Sequence, residues 1–306
     1  MGIVVFGSIN MDLVARTPRL PAPGETLTGY SFTTVPGGKG ANQAVACARL
    51  GAPTQMVGRV GGDVFGDALL ENLESNTVNS SHVIRDMEVA SGVALIAVDD
   101  YAENTIIVIP GANGRVGSED LERLSQALEI ARILLLQLEI PLEIVVEAAK
   151  IAHDMGVTVI LDPAPAQVLP DELYPWVDIL TPNQTEASIL AGFRVGDEGS
   201  IRRAAQVLLE RGVQRVIIKM GDRGAYVATE DGSQQHPAIP VVAIDTVAAG
   251  DAFNGALAAA LLEEKSFDDA VRWGLAGGAL AVTKEGAQGA MPERDAVLKL
   301  LAEYSG

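Results

Sequence analysis

The segment Asp245-Thr246-Val247-Ala248-Ala249-Gly250-Asp251 leads directly into an apolar helical run, Ala252 to Glu264. Small residues at 248 to 250 let the backbone turn sharply, so that their N–H groups and the start of the helix converge on one spot suited to a phosphate. Asp251 stands beside that spot, where a carboxylate can take a proton from an incoming hydroxyl. A carboxylate is also an ordinary residue at a helix start, so the segment alone does not separate a base from a cap.

Three further stretches could supply a ligand's contacts. Pro36-Gly37-Gly38-Lys39-Gly40-Ala41-Asn42-Gln43 opens a helix that runs to Leu50. Gly38 permits close approach to the backbone, while Lys39 and Asn42 offer hydrogen bonds of the kind that read sugar hydroxyls. This is not a P-loop, because Gly40 follows Lys39 where Ser or Thr is required. No G-x-G-x-x-G follows the first strand, which argues against a dinucleotide site. At the end of that strand, Gly7-Ser8-Ile9-Asn10-Met11-Asp12 places Asn10 and Asp12 to fork a pair of hydroxyls, although both types are also common in plain turns. Lys219-Met220-Gly221-Asp222-Arg223-Gly224 follows a buried strand and by itself reads as a glycine turn.

The elements that must position these residues are legible as alternating short runs. Ile3 to Phe6, Ile133 to Leu138, Val157 to Leu161, Ile179 to Thr181 and Val216 to Lys219 read as buried parallel strands. Leu121 to Ala131, Leu142 to Met155 and Ile201 to Arg211 show helical spacing. Strand and helix alternating in this way predict an α/β fold, a mostly parallel sheet with helices on both faces. Residues 13 to 36 and 91 to 110 break the rhythm. They are strand-like without long helices, as in Val93 to Val98, a polar turn from Asp99 to Asn104, and Thr105 to Ile109. They predict a small β-sheet lid that closes over substrate or pairs with a second copy. At 306 residues the chain suits one large domain spanning 1 to 306.

Composition narrows the partners. With 22 basic and 40 acidic residues the formal charge is −18, which repels nucleic acid and anionic membranes. An anionic ligand must therefore be held locally, by amides, a few cations or a metal ion. The single cysteine, Cys47, allows no internal disulfide, which predicts a reducing, cytoplasmic setting; between Ala46 and Ala48 it reads as a small apolar residue of a buried helix. The apolar run Ile130 to Ile140 contains Arg132, Gln137 and Glu139 and is too short to cross a membrane. His82, His153 and His236 are too far apart in sequence to form a zinc motif.

Taken together, Gly7 to Asp12, Pro23-Gly24-Glu25-Thr26, Gly37 to Gln43, Asp162-Pro163-Ala164-Pro165, Thr181-Pro182-Asn183-Gln184-Thr185-Glu186 and Asp245 to Asp251 resemble the ribokinase/PfkB-type carbohydrate kinase family from the first strand to the last helix. The form Ala248-Ala249-Gly250-Asp251, followed by Phe253-Asn254-Gly255, is similar to the members that act on ribose. The resemblance implies transfer of the terminal phosphate of ATP to the 5-hydroxyl of D-ribose. Asn10, Asp12, Gly38, Lys39, Asn42 and Glu139 would hold the sugar, Asp251 would be the base, and the amides of Ala248, Ala249 and Gly250 the anion hole. An unpaired carboxylate at the end of the apolar run before Glu139 would be costly unless it accepted hydroxyl hydrogen bonds. Asn183 and Glu186 match an N-x-x-E pair that steadies Mg²⁺ and phosphates through water, and Lys219, Gly221, Asp222 and Gly224, with Gly250, match the nucleotide loop. A monovalent cation, K⁺, would lie against Asp245, Val247, Ala281, Lys284, Gly286 and Ala290. Here the chain departs from the family, which commonly has serine where Ala290 stands; Leu275 and Gln184 also differ from common choices. The resemblance further implies a homodimer through the lid. A kinase for deoxyribose, fructose or a nucleoside would use most of the same residues, and a non-catalytic sugar-binding regulator could share the fold.

Overall fold

The computed structural model describes residues 1–101 and 103–304. Along the chain run β1 (Gly2–Phe6), β2 (Asn10–Arg16), β3 (Ser31–Gly37), α1 (Lys39–Arg49), β4 (Thr54–Gly61), α2 (Val64–Ser75), β5 (Asn79–Asp86), β6 (Gly92–Val98), β7 (Asn104–Ile109) and α3 (Ser118–Leu128). There follow β8 (Ala131–Leu136), α4 (Leu142–Asp154), β9 (Thr158–Leu161), β10 (Ile179–Leu180), α5 (Gln184–Ala191), α6 (Glu198–Glu210) and β11 (Arg215–Lys219). The chain ends with β12 (Ala225–Thr229), β13 (Gly232–His236), α7 (Ala249–Leu262), α8 (Phe267–Ala281) and α9 (Arg294–Glu303).

Among the described residues the main sheet has nine strands in the order β13-β12-β11-β10-β9-β8-β1-β4-β5. Neighbours from β11 to β5 are parallel, and β12 and β13 add an antiparallel hairpin at one edge. The side-chain period of two sends Ile133 and Leu135 into one apolar cluster with α1, α7 and α8, and Leu134 and Leu136 into another with α3, α4 and α6. Both faces are thus covered, which is why these strands read as unbroken apolar runs. Cys47 is buried on α1, and burial pushes its thiol pKa up.

The second sheet, in the order β3-β2-β6-β7, is the expected small sheet. It departs from the sequence reading in where it starts. Gly7 to Asp12 is not the tail of the first strand: β1 stops at Phe6, and Asn10 and Asp12 lie on β2, in register with Gly37 and Val35 of β3. Residues 17 to 30 carry no strand. Of the expected turn from Asp99 to Asn104, Ala102 lies outside the described residues and Asn104 already belongs to β7.

Other boundaries shift. The helix expected over Leu121 to Ala131 is Ser118–Leu128, with Gly117 and Asp120 fixing its start, and Ala131 opens β8. The strand expected to reach Leu138 ends at Leu136, which leaves Glu139 in the bend beyond it. The carboxyl ends of β1, β8, β9, β10 and β11 share one edge of the sheet, where a site in an open α/β fold is built.

Candidate active site

Asp251 occupies the first turn of α7 and is 3% exposed. The turn is made by Ala248, which adopts a left-handed conformation (φ 57°) and leaves the helix start without a side-chain cap. Ala249 N donates to Thr246 O at 3.4 Å, while the amides of Ala248 and Gly250 and the positive end of the helix dipole remain for a ligand. Asn42 Nδ2 donates to Asp251 Oδ2 at 2.9 Å, and Gln43 Nε2 donates to Oδ1 at 3.0 Å. Gln137 Nε2 donates to Gln43 Oε1 at 2.7 Å, which fixes the end of Gln43 that faces the carboxylate. Gln43 Nε2 also donates to Asp162 Oδ2 at 3.0 Å, and Lys219 Nζ donates to Asp162 Oδ1 at 2.9 Å. Burial pushes the Asp251 pKa up and the nearby Asp162 charge adds to this; Lys39 and the two amide donors pull it down, and the balance lies at about 6. Such a carboxyl is ionised near neutrality yet more basic than an ordinary aspartate.

On one side of Asp251 lies a cradle of polar groups. Gly38 precedes α1 with φ 86°, and a Cβ there would sit 2.7 Å from Asn10 N and 3.0 Å from Ser8 O, so only glycine lets β2 and the helix start meet. Lys39 N donates to Glu139 Oε2 at 3.0 Å, and Ser8 Oγ donates to the same oxygen. The Glu139 carboxylate is thus the partner of a helix start, and its other oxygen makes no protein hydrogen bond among the described residues. Asp12 is half-buried, and burial, then Glu139 and Asp251, push its pKa up to about 7. Burial opposes the charge on Lys39, but Asp251, Asp162, Glu139 and Glu186 outweigh it and hold the ammonium more firmly protonated than usual. Asn42 Oδ1 is buried without a partner. Asn10, 3% exposed, accepts from Asn113 Nδ2 at 2.7 Å. A cluster of acceptors, one cation and amides suits a small polyol.

On the other side a cavity of about 740 Å³ opens, large enough for a nucleotide. Lys39 and Asp251 line it, as do Asn183, Glu186, Lys219, Gly221, Asp222 and Gly224 and the helix start Ala248, Ala249 and Gly250; Ile239, Val241, Leu275 and Val282 give it an apolar wall. Asn183 caps α5: its Oδ1 accepts from Glu186 N at 2.9 Å, and its own N–H donates to Glu186 Oε2 at 2.7 Å. Burial pushes the Glu186 pKa up, Lys219 pulls it down and Asp162 raises it. Lys219 does not extend freely into the cavity, because Asp162 holds its ammonium.

Beside α7, Asp245 ties two segments together. Its Oδ1 accepts from Val247 N at 3.0 Å and its Oδ2 from Gly286 N at 2.9 Å, while Ile244 N donates to Val282 O at 2.7 Å. A cation beside this single carboxylate would need backbone carbonyls to complete its shell, and an oxygen-only set of such low charge suits a monovalent ion. Ala290 is buried and brings a methyl group rather than a hydroxyl. Among the described residues no three His, Cys, Asp or Glu side chains group closely enough to ligate one ion directly, so a divalent ion here fits only with water and phosphate oxygens completing its shell.

The sequence reading missed Ser8, Gln43, Gln137, Asp162 and Asn113 as contributors to this network. Ser8, Gln43 and Asp162 stand inside the family-like motifs without an assigned role, Gln137 and Asn113 show only polar character beside apolar segments, and the partners lie far away in sequence: 208 positions separate Gln43 and Asp251.

The model of the pfkB family carbohydrate kinases matches residues 2–294. A ribokinase of Haemophilus influenzae is 46% identical, with 98% of each chain covered. A deoxyribokinase of Salmonella typhi is 39% identical over 95% of this chain and 96% of that protein. The structure of an Arabidopsis thaliana ribokinase complexed with ribose and ATP superposes with a TM-score of 0.90 at 36% identity, covering 98% of both chains. A full-length family match, near-complete coverage by curated kinases and a shared fold agree: the chain is a carbohydrate kinase of the pfkB family.

Proposed function

We propose that the chain transfers the terminal phosphoryl group of ATP to the 5-hydroxyl of D-ribose, giving D-ribose 5-phosphate and ADP. The observation that carries this reading is the position of Asp251, buried at an uncapped helix start between a polyol-sized cradle and a nucleotide-sized cavity. Asn10, Asp12, Gly38, Lys39, Asn42 and Glu139 bind the sugar. Asp251 takes the proton of the 5-hydroxyl as its oxygen bonds to the γ-phosphorus and the bond to the β-phosphate oxygen breaks. Amides at Ala248, Ala249 and Gly250 stabilise charge on the transferring group, and such preorganised donors are worth about 10² to 10³ in rate each. Lys219, Gly221, Asp222 and Gly224 hold the nucleotide. Glu186 and Asn183 would hold Mg²⁺ through water, and the ion would supply charge neutralisation on the leaving diphosphate. Asp245 and neighbouring backbone carbonyls would hold K⁺.

The same reading treats residues 1 to 306 as one domain in the cytoplasm, with the small sheet as a lid and dimer surface. No helix among the described residues is long and apolar enough to cross a membrane.

The Salmonella relative makes 2-deoxyribose the second candidate. A coupled ADP assay with D-ribose, 2-deoxyribose, fructose and a nucleoside separates them: the reading expects the highest kcat/KM with D-ribose. A higher value with 2-deoxyribose, or no sugar-dependent ADP release, would overturn it.

A further inference from the structure

We propose that Asn113 is a positioning residue for the sugar, fixing Asn10 as a hydrogen-bond donor toward the substrate. This rests on the reading above that Asn10 contacts the sugar. Asn113 is 1% exposed and lies in a turn, Gly111–Arg115, that follows β7. Its Oδ1 accepts from Ile9 N at 2.9 Å, and its Nδ2 donates to Ile9 O at 3.1 Å and to Asn10 Oδ1 at 2.7 Å. The side-chain amide pairs with the backbone of Ile9 as a neighbouring strand would, at the point where the chain passes from β1 into β2.

These bonds settle the orientation of both amides. A backbone N–H can only donate, so the Asn113 atom facing Ile9 N is oxygen. Its other end is therefore the NH₂ group, and the Asn10 atom facing that group is an acceptor. Asn10 is left with Nδ2, which makes no protein hydrogen bond among the described residues, as the end available to a ligand. The sugar oxygen that meets Asn10 is thus read through a lone pair, and its own proton stays free for a carboxylate such as Asp12.

The surroundings hold this arrangement in place. A Cβ on Gly92, the first residue of β6, would lie 2.2 Å from Asn113 Nδ2 and 2.3 Å from Asn10 Oδ1, so the bond fills the space beside that strand. The turn is pinned by Ala112 N, which donates to Ala90 O at 2.9 Å, and by Arg115, which pairs with Asp86 at 3.2 Å. Asp86 also pairs with Arg59 of β4 at 3.5 Å. Asn113 therefore ties a sugar contact to the root of the small sheet, where the chain crosses between the two sheets.

The test is steady-state kinetics of the full-length enzyme with D-ribose and ATP. Asn113→Asp keeps the acceptor for Ile9 but removes the donor to Asn10; it should raise the ribose KM roughly tenfold or more while the ATP KM stays within about twofold. In an Asn10→Ala background the same change should add less than about twofold. Additive effects, or equal rises in both KM values, would overturn the inference. Asn10→Asp gives a second route if Asn113→Asp does not fold. It keeps the acceptor for Asn113 and exchanges the donor for an acceptor, so it should impair ribose binding as much as Asn10→Ala does. If Asn10→Ala weakens binding and Asn10→Asp does not, the inference fails while the sugar site stands. If Asn10→Ala leaves the ribose KM unchanged, the sugar contact itself is wrong and the inference goes with it.

Discussion

Asp251 is held between opposing influences: burial and Asp162 favour its protonated form, while Lys39, Asn42 and Gln43 favour the carboxylate. A base that titrates at about 6 in the free enzyme should make kcat/KM fall as pH drops through that value, because the protonated carboxyl cannot accept the hydroxyl proton. Gln43 is one of the donors that lower this pKa, so Gln43→Leu should move the acid limb of the kcat/KM–pH profile upward by about one unit. An acid limb that stays in place would show that Gln43 does not tune the base. At this scale the sequence revealed Asp251, Lys39 and Asn42, because each sits at a helix start in a glycine-rich or small-residue segment. The hydrogen-bonding roles of Gln43, Asp162 and Asn113 were not legible, since a bond between residues a hundred or more positions apart leaves no local pattern in the chain.

The elements show the same division. Strands β1, β8, β9 and β11 are β-branched or leucine runs buried on both faces, and could be read directly. β4 was not, because Gly58, Arg59 and Gly61 interrupt it, and β5 was not, because Asn79, Ser80, Ser81 and His82 make it polar at the sheet edge. The ends of strands were legible only approximately: apolar burial continues through Leu138 although ladder pairing stops at Leu136. Between β13 and α7 the chain has no regular element, and Asp245 clamps Val247 to Gly286 there. A cation bound beside that clamp would stiffen the segment that leads into the helix start. With a methyl group at Ala290 instead of a hydroxyl, activation by K⁺ should be weaker than in Ala290→Ser. Equal activation of the two proteins in parallel K⁺ and Na⁺ titrations would remove Ala290 from the site.

At the scale of the whole molecule, one edge of a nine-stranded sheet gathers the ligand-facing groups and a small sheet stands over them. β7 leaves Ile106, Ile107, Val108 and Ile109 each about half exposed, and Phe32 on β3 is 65% exposed. With side chains alternating between faces, only one side of that sheet can turn toward the proposed sugar site, and a dimer of the proposed kind would bury apolar residues of the other. Sedimentation at micromolar concentration should therefore give a dimer, and Ile107→Lys with Ile109→Lys should give a monomer; a wild-type monomer would contradict the lid as a dimer surface. The α/β architecture was legible because buried parallel strands and helices alternate, whereas the start of the small sheet was not, since Asn10 and Asp12 look the same in a turn as on a strand. The account as a whole turns on D-ribose-dependent ADP release by the wild type and by Asp251→Asn. It predicts ribose-dependent turnover in the wild type and a loss in kcat of at least about 10² in the variant, with the ribose KM little changed. Near-normal turnover by Asp251→Asn would contradict it.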